Sequence, residues 1–137
     1  MIVLDCSAAM AILFETEEGS AFVSLMLKDE KAISSQLFVA ELHSALRKHV
    51  KAGDFDTALA HTLIRQALDL VDEFVDMREN GIEAFDESIR HNHSSYDMLY
   101  LTLARRNGAT LFTLDRRLIA LCEQLKIGCV HLEPLID

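Results

Sequence analysis

Short apolar runs alternate with longer helix-like segments along the sequence, and this alternation limits the possible folds more than any other feature. The runs at 2–5, 32–35 and 109–113 are too short for buried helices and predict strands. Between them, apolar side chains recur with the 3.6-residue period of a half-buried helix, most clearly at 37–52. Strands separated by helices form a parallel sheet that helices cover on both faces. The sequence therefore predicts an α/β fold.

The other predicted elements complete this α/β pattern. We expect further helices at 7–14, 17–28, 55–71, 82–90, 96–106 and 116–125, and short strands near 73–77 and at 128–132. The segment 96–106 is apolar almost all round, which is typical of a buried central helix. Residues 1–137 include one proline, no linker-like tract and no internal repeat, so we expect a single domain.

The charge of the chain argues against nucleic acid as a partner. The formal net charge is −9, and a strongly acidic protein repels phosphate groups through its long-range field. An acidic chain that acts on a phosphodiester must therefore supply positive charge locally, from divalent cations, from arginines or from a basic partner.

The cysteines and the apolar runs bear on location. Cys6, Cys122 and Cys129 are an odd number without a CxxC pair, which favours free thiols in a reducing compartment. No apolar run approaches the length of a membrane span, and the first residues lack the basic region and apolar stretch of a secretory signal. We therefore expect a cytoplasmic protein that does not enter a membrane.

Four carboxylates stand among apolar residues, whereas the other acids come in polar runs typical of solvated surface, Asp86-Glu87 among them. Asp5 and Asp115 each follow a predicted strand, Glu41 lies within LFVAEL, and Asp97 lies within YDMLYL. Ligands of parallel sheets bind beyond the carboxyl ends of the strands. Clustered carboxylates near a core are stable only with a cation among them. Hard oxygen ligands without a His–Cys set predict Mg²⁺ or Mn²⁺, which activates water against a phosphoryl group.

Helix capping is the alternative explanation for three of these acids. Asp5, Asp97 and Asp115 each lie near the start of a predicted helix, where a carboxylate accepts hydrogen bonds from backbone amides. Glu41 lies inside a predicted helix and is the hardest of the four to explain as a cap. Each acid alone is a weak indication of a site, and their order and context together are a much stronger one.

Histidines and arginines near these acids have separate interpretations. His91 and His93 lie in RHNHSS, where no neighbouring carboxylate or cysteine completes a ligand set, so we interpret both as residues of a solvated loop. Arg116 and Arg117 follow Asp115 at a predicted helix start. The helix dipole disfavours cations there, so a role facing a substrate phosphate is more plausible.

Four segments of the sequence resemble the blocks of PIN-domain nucleases: MIVLDCSA, VAELHSALRK, SSYDMLYLTLA and GATLFTLDRRL. They follow the family's order and spacing over nearly the whole chain, and the closest resemblance is to VapC-type toxins of bacterial toxin–antitoxin pairs. The resemblance implies a compact three-layer α/β/α domain with a short central parallel sheet. It also implies cleavage of RNA with Mg²⁺ or Mn²⁺.

The same resemblance assigns roles to individual residues. Asp5, Glu41, Asp97 and Asp115 match the family's acidic quartet, in which the aspartates hold the metal and Glu41 helps to position or activate the attacking water. Ser7 and Thr113 match positions where the family often carries a hydroxyl near the site. Cys6, His43 and Met98 depart from the commonest residues at their positions, and none of the three replaces a predicted ligand.

The resemblance further implies a homodimer and a cognate antitoxin whose C-terminal segment lies near the site. The favoured hypothesis is a metal-dependent endoribonuclease that acts as the toxin of such a pair. One alternative is a PIN-like module that binds a partner protein without cleaving RNA. Another is a hydrolase that uses the same acids on DNA or on a different phosphodiester.

Overall fold

A computed structural model describes residues 1–26, 29–130 and 132 of the chain. Strands and helices alternate along it as the sequence predicts. In chain order the elements are β1 (Ile2–Leu4), α1 (Cys6–Leu13), α2 (Glu17–Leu25), β2 (Ala32–Ser35), α3 (Leu37–Lys51), α4 (Thr57–Asp69), β3 (Glu73–Val75), α5 (Met77–His91), α6 (Ser95–Asn107), β4 (Thr110–Phe112) and α7 (Arg116–Gln124).

The four strands form one parallel sheet in the order β3-β2-β1-β4. Val3 in β1 pairs with Ile33 in β2 on one side and with Leu111 in β4 on the other. The helices pack in two groups, α1 to α4 with one another and α5 and α7 against α6, which itself contacts three of the strands. This is the predicted three-layer α/β/α arrangement.

The carboxyl ends of β1 and β4 lie side by side at the point where the strand order reverses. From β1 the chain crosses to β2 and then β3 on one side, and β4 lies on the other side. Crossover connections leave in opposite directions from such a point, which opens a crevice for ligands. Asp5 and Asp115 follow these two strands.

Two predicted elements differ from the observed ones. The helix predicted from Ile82 begins at Met77, where Asp76 caps it by accepting from the Arg78 amide, and Gly81 inside it weakened the helical pattern. The strand predicted at 128–132 is a single parallel bridge between Cys129 and Leu111. Residues 27 and 28, the predicted end of the second helix, and residue 131 lie outside the described residues.

A buried amide joins α5 to α6. Asn80 is 2% exposed, and its Nδ2 donates to the carbonyl of Leu99 and to the hydroxyl of Thr102, each at 2.9 Å. Because a buried amide without partners is costly, these two bonds fix the register of α5 on α6.

Glu87 is a second polar residue of α5, and its interpretation as solvated surface is wrong. Its side chain is 3% exposed, forms ion pairs with Arg90 and Arg105, and lies 3.0 Å from Nε2 of His91. Burial of this carboxylate depends on the packing of α5 against α6, which the local sequence does not show. His91 is held here, on α5, and does not belong to a solvated loop.

Backbone atoms of α1 and α2 approach closely at Gly19. A Cβ atom on Gly19 would lie 2.0 Å from the carbonyl oxygen of Ala11. The hydroxyl of Thr16, the N-cap of α2, donates to the same oxygen at 3.2 Å and accepts from the Gly19 amide. Only glycine fits this contact.

No helix in the described part of the chain is long and apolar enough to cross a bilayer.

Candidate metal centre

Asp5 is both a helix cap and a buried carboxylate at the end of β1. Its Oδ1 accepts from the amide of Ala8 at 2.9 Å and from the hydroxyl of Ser7 at 2.7 Å. The residue is 5% exposed. Burial raises the pKa of Asp5 to about 6, although bonds from Thr113, Ala8 and Ser7 lower it. The cap uses one oxygen, so capping does not exclude a second role for this acid.

Two hydroxyls connect the ends of β1 and β4. Ser7 Oγ lies 3.4 Å from Thr113 Oγ1 and accepts from the Leu114 amide at 2.9 Å. Thr113 Oγ1 accepts from the Asp115 amide at 3.1 Å. Together with the bonds to Asp5, these contacts set the position of the turn that carries Asp115. The structure thus places both predicted hydroxyls beside the acids.

Glu41 extends from α3 into the same region. It bonds to Tyr100, which lies in the helix predicted to be apolar and buried. Tyr100 Oη donates to Glu41 Oε1 at 2.5 Å. Burial raises the pKa of Glu41, the bond from Tyr100 lowers it, and the charge of Asp97 raises it again. Burial also raises the pKa of Tyr100, so its hydroxyl stays protonated as a donor. Tyr100 follows Asp97 by three residues on α6, a spacing that places both on one helix face.

Asp97 and Asp115 complete the acidic group from the starts of α6 and α7. Burial raises the pKa of Asp97, and the charge of Asp115 adds to the rise. Asp115 caps α7, and its Oδ1 accepts from the amides of Arg117 and Leu118 at 2.9 and 3.2 Å. As at Asp5, one oxygen serves the cap.

The structure places the four predicted acids as neighbours in a row. The charge of Glu41 acts on Asp5, that of Asp97 on Glu41, and that of Asp115 on Asp97. Of the four, Asp97 and Asp115 alone belong to a group of three or more residues in the described part of the chain whose ligand atoms lie within 4.8 Å of one another. A divalent cation relieves the repulsion between neighbouring carboxylates, and carboxylate oxygens are the ligands that Mg²⁺ and Mn²⁺ prefer. The residues present fit such an ion.

His93 belongs to this group as well, and its interpretation as a solvated loop residue is wrong. Its side chain is 8% exposed, and its Nε2 lies 2.9 Å from Oδ2 of Asp97. One ligand atom each from His93, Asp97 and Asp115 lie within 4.8 Å of one another. The four-residue spacing from His93 to Asp97 is the feature of the sequence that indicates a contact between the two side chains.

The remaining candidates lie outside this group or are chemically inert. Arg116 is exposed at the first turn of α7, which keeps it accessible to a substrate. His43 is exposed, with Nδ1 2.6 Å from the carbonyl oxygen of Val39. Arg105 bonds to Glu83. Burial raises the pKa of Cys6 to about 12, so its thiol is not a nucleophile.

Comparison with known proteins agrees with this geometry. The family model of the PIN domain matches residues 2–124. The chain belongs to the PIN domain family. The resemblance to PIN-domain nucleases drawn from the four sequence segments is thus confirmed. No curated protein matches the sequence significantly.

Solved structures share the PIN fold over most of their length. The chain is similar to PAE2754 from Pyrobaculum aerophilum, with 24% identity, a TM-score of 0.71, and coverage of 87% of this chain and 84% of that one. It is similar to VapBC-1 from nontypeable Haemophilus influenzae, with 14% identity, a TM-score of 0.66, and coverage of 95% of this chain and 97% of that one. It is also similar to VapBC2 from Rickettsia felis bound to a DNA fragment from their promoter, with 18% identity, a TM-score of 0.67, and coverage of 97% of this chain and 100% of that one.

Proposed function

We propose that this PIN domain is a divalent-metal-dependent endoribonuclease and the toxin of a toxin–antitoxin pair. One observation carries the proposal: Asp5, Glu41, Asp97 and Asp115 form a row of neighbouring carboxylates beside the carboxyl ends of β1 and β4. Three of the four have a pKa raised by burial, so without a cation the charged forms are disfavoured.

The aspartates of this group would hold Mg²⁺ or Mn²⁺, with Glu41 beside them. Such an ion, when bound, activates water and neutralises charge on a phosphate group. A few carboxylate oxygens are enough to hold either ion, because water molecules fill the remaining positions of its coordination shell. Ser7 and Thr113 would support the site by holding Asp5 and the Asp115 turn in place.

In this proposal Glu41 would receive a proton from the attacking water. Its carboxylate is half-buried, its orientation is fixed by Tyr100, and its raised pKa makes it a stronger base than an exposed glutamate. In the hydrolysis, a bond forms between the water oxygen and phosphorus while the bond from phosphorus to the leaving ribose oxygen breaks. Water loses a proton and the leaving oxygen gains one.

The net charge of −9 is compatible with an RNA substrate only if positive charge is supplied at the site. Arg116 and Arg117 are exposed directly after Asp115, and together with the cation they would attract backbone phosphates. We expect RNA to be held weakly, as suits an enzyme that must release its products.

The proposed protein partners are an antitoxin and a second copy of the chain, in the cytoplasm. Two of the similar solved structures are VapBC assemblies, and a basic antitoxin side chain would complement the acids. For a homodimer, Phe22 of α2 is fully buried and unavailable for contact. Ile82, Phe85 and Ile89 follow one face of α5 and are 80%, 60% and 70% exposed, which suits an apolar contact between copies.

The test is cleavage of total RNA by the purified protein with Mg²⁺ or Mn²⁺, with and without EDTA. Asp97→Asn keeps the size of the side chain and removes a predicted ligand charge. Asp86→Asn makes the same chemical change at an exposed position of α5 and is the matched control. DNA of the same sequence as the cleaved RNA is assayed in parallel.

We expect discrete RNA fragments from the wild type and from Asp86→Asn, none with EDTA, and none from Asp97→Asn. Equal cleavage by Asp97→Asn would contradict the assigned site, and preferential cleavage of DNA would contradict the substrate class. Saturable Mn²⁺ binding should raise the thermal stability of the wild type and of Asp86→Asn, and not that of Asp97→Asn. If the protein shows neither cleavage nor metal binding, a partner-binding module is the better assignment.

A further inference from the structure

The backbone on both sides of His93 is fixed by hydrogen bonds. Asn92 ends α5 in the left-handed conformation (φ 49°, ψ 49°), and the amide of His93 donates to the carbonyl of Ser88 at 3.1 Å. The next residue, Ser94, caps α6 by accepting from the Tyr96 amide. His93 is therefore held between two helix ends, and its ring is directed at the acids by the fold itself.

The ring of His93 meets the acids at metal-ligand spacing. Nε2 lies 2.9 Å from Asp97 Oδ2, and atoms of His93, Asp97 and Asp115 fit within 4.8 Å of one another. Metal bonds of about 2.1 Å place adjacent ligand atoms of one ion about 3 Å apart and opposite ones about 4.2 Å apart. Only a small side-chain movement is needed for one ion to contact all three residues.

From this geometry we infer that His93 is a nitrogen ligand of the metal centre, and that it makes the centre prefer Mn²⁺, or a similar transition-metal ion, to Mg²⁺. The inference rests on the proposed metal-dependent function and adds the identity of the ion to it. With its ring proton on Nδ1, His93 presents the Nε2 lone pair to the ion.

The expected preference follows from ligand chemistry. Mg²⁺ takes hard oxygen ligands and gains little from an imidazole, whereas first-row transition-metal ions bind imidazole well. A group made only of carboxylates would discriminate weakly between Mg²⁺ and Mn²⁺. One nitrogen ligand from a side chain that is 8% exposed changes that balance.

The test uses the purified full chain and Mn²⁺ as the probe. Mn²⁺ binding is followed by the loss of the free-ion electron paramagnetic resonance signal, and Mg²⁺ binding by competition. Pulsed measurements on bound Mn²⁺ detect a directly coordinated nitrogen. His93→Gln removes the ring. His91→Gln is the matched control, because His91 is 14% exposed on its side chain and pairs with Glu87 outside the acidic group.

We expect nitrogen coupling in the wild type and in His91→Gln, and its loss in His93→Gln. Mn²⁺ affinity should fall at least about tenfold in His93→Gln, while Mg²⁺ affinity should change less than about twofold. Wild-type protein grown with ¹⁵N-histidine should show the coupling altered by the isotope, which identifies an imidazole even if His93→Gln does not fold.

Bound Mn²⁺ without nitrogen coupling in the wild type would overturn the inference and reduce His93 to a hydrogen-bond partner of Asp97. The proposed nuclease function would survive that result, because the carboxylates would still bind the ion. Failure of the wild type to bind Mn²⁺ at all would instead overturn both proposals. An equal Mn²⁺ affinity in wild type and His93→Gln also overturns the inference.

Discussion

Tyr100 Oη donates a hydrogen bond of 2.5 Å to Oε1 of Glu41, joining the buried central helix α6 to the acid carried by α3. Tyr100 is 2% exposed and Glu41 is half-buried, so water does not readily replace this bond. The tyrosine is therefore expected to orient the glutamate and to limit the rise of its pKa.

Replacing this tyrosine should slow catalysis without unfolding the protein. Tyr100→Phe keeps the ring in the core and removes the donor, and a bond to a charged group contributes about 1.5–3 kcal/mol. We expect kcat for RNA cleavage to fall about tenfold or more and the acidic limb of the pH–rate profile to move to higher pH. Tyr96→Phe, on the exposed part of the same helix, is the control. Unchanged profiles in both variants would show that the hydroxyl does not act through Glu41.

Asp5 should make the metal-free protein less stable at neutral pH than at mildly acidic pH. Its folded pKa of about 6 exceeds the ordinary value of 3.8, so this contribution to stability is complete below pH 3.8 and is lost as pH rises through about 6. The full linkage is about 3 kcal/mol. Asp5→Asn keeps an oxygen for the cap and does not ionise.

The measurement for Asp5 is denaturant unfolding of wild type and Asp5→Asn in EDTA at pH 5 and pH 7.5. The variant should gain stability relative to the wild type at pH 7.5, and the gain should shrink at pH 5. Identical differences at the two pH values would show that Asp5 does not titrate in this range. Saturating Mn²⁺ should reverse the order at pH 7.5, because the ion binds only the folded wild type well.

Glu87 should stabilise the fold without taking part in the metal centre. Glu87→Ala leaves Arg90, Arg105 and His91 without their shared carboxylate, and we expect a loss of about 2 kcal/mol in the free energy of unfolding. Asp86→Ala, one residue away and exposed, should change stability by less than about 0.5 kcal/mol. Mn²⁺ affinity is measured for both variants, and a large change in Glu87→Ala would disprove the separation of the two clusters.

Alanine should have opposite effects on stability at Gly19, in the contact between α1 and α2, and at Gly81, in the open space around α5. Gly19→Ala places a Cβ 2.0 Å from the Ala11 carbonyl oxygen, and separating the helices should cost about 3 kcal/mol or more. Gly81→Ala lies in α5 with no atom within 4 Å of the added Cβ and should stabilise the protein by about 0.5–1 kcal/mol. Thermal melts of the two variants decide this, and a stabilising Gly19→Ala would mean that the helices are farther apart.

The sequence predicted the elements and the acids because both depend on local patterns. Asp5 and Asp115 follow strand-like runs, and parallel strands bring their carboxyl ends to one edge. Capping is confirmed for these two acids, and because each uses one oxygen for its helix, their role in a metal site stays a prediction that capping does not exclude. The start of α5 was missed because Gly81 interrupts the pattern and the buried contacts of Asn80 come from α6.

The missed polar residues depend on tertiary packing. His93 approaches Asp115 from a different part of the chain, and Tyr100 meets Glu41 across two helices. Glu87 has Arg90 and His91 at helical spacing, but nothing in the local sequence shows that α6 covers it. The local sequence does contain two indications of these contacts, the three-residue spacing from Asp97 to Tyr100 and the four-residue spacing from His93 to Asp97.

The acids of the proposed metal centre come from four separate stretches of chain, the first at residue 5 and the last at residue 115. A chain that stops before Asp115 lacks an essential corner of the centre, so truncation should yield an inert protein and not a weakened one. Activity in this architecture is all or none along the direction of synthesis. Under the proposed ribonuclease function, a growing chain would cleave no RNA until α7 has been translated and docked.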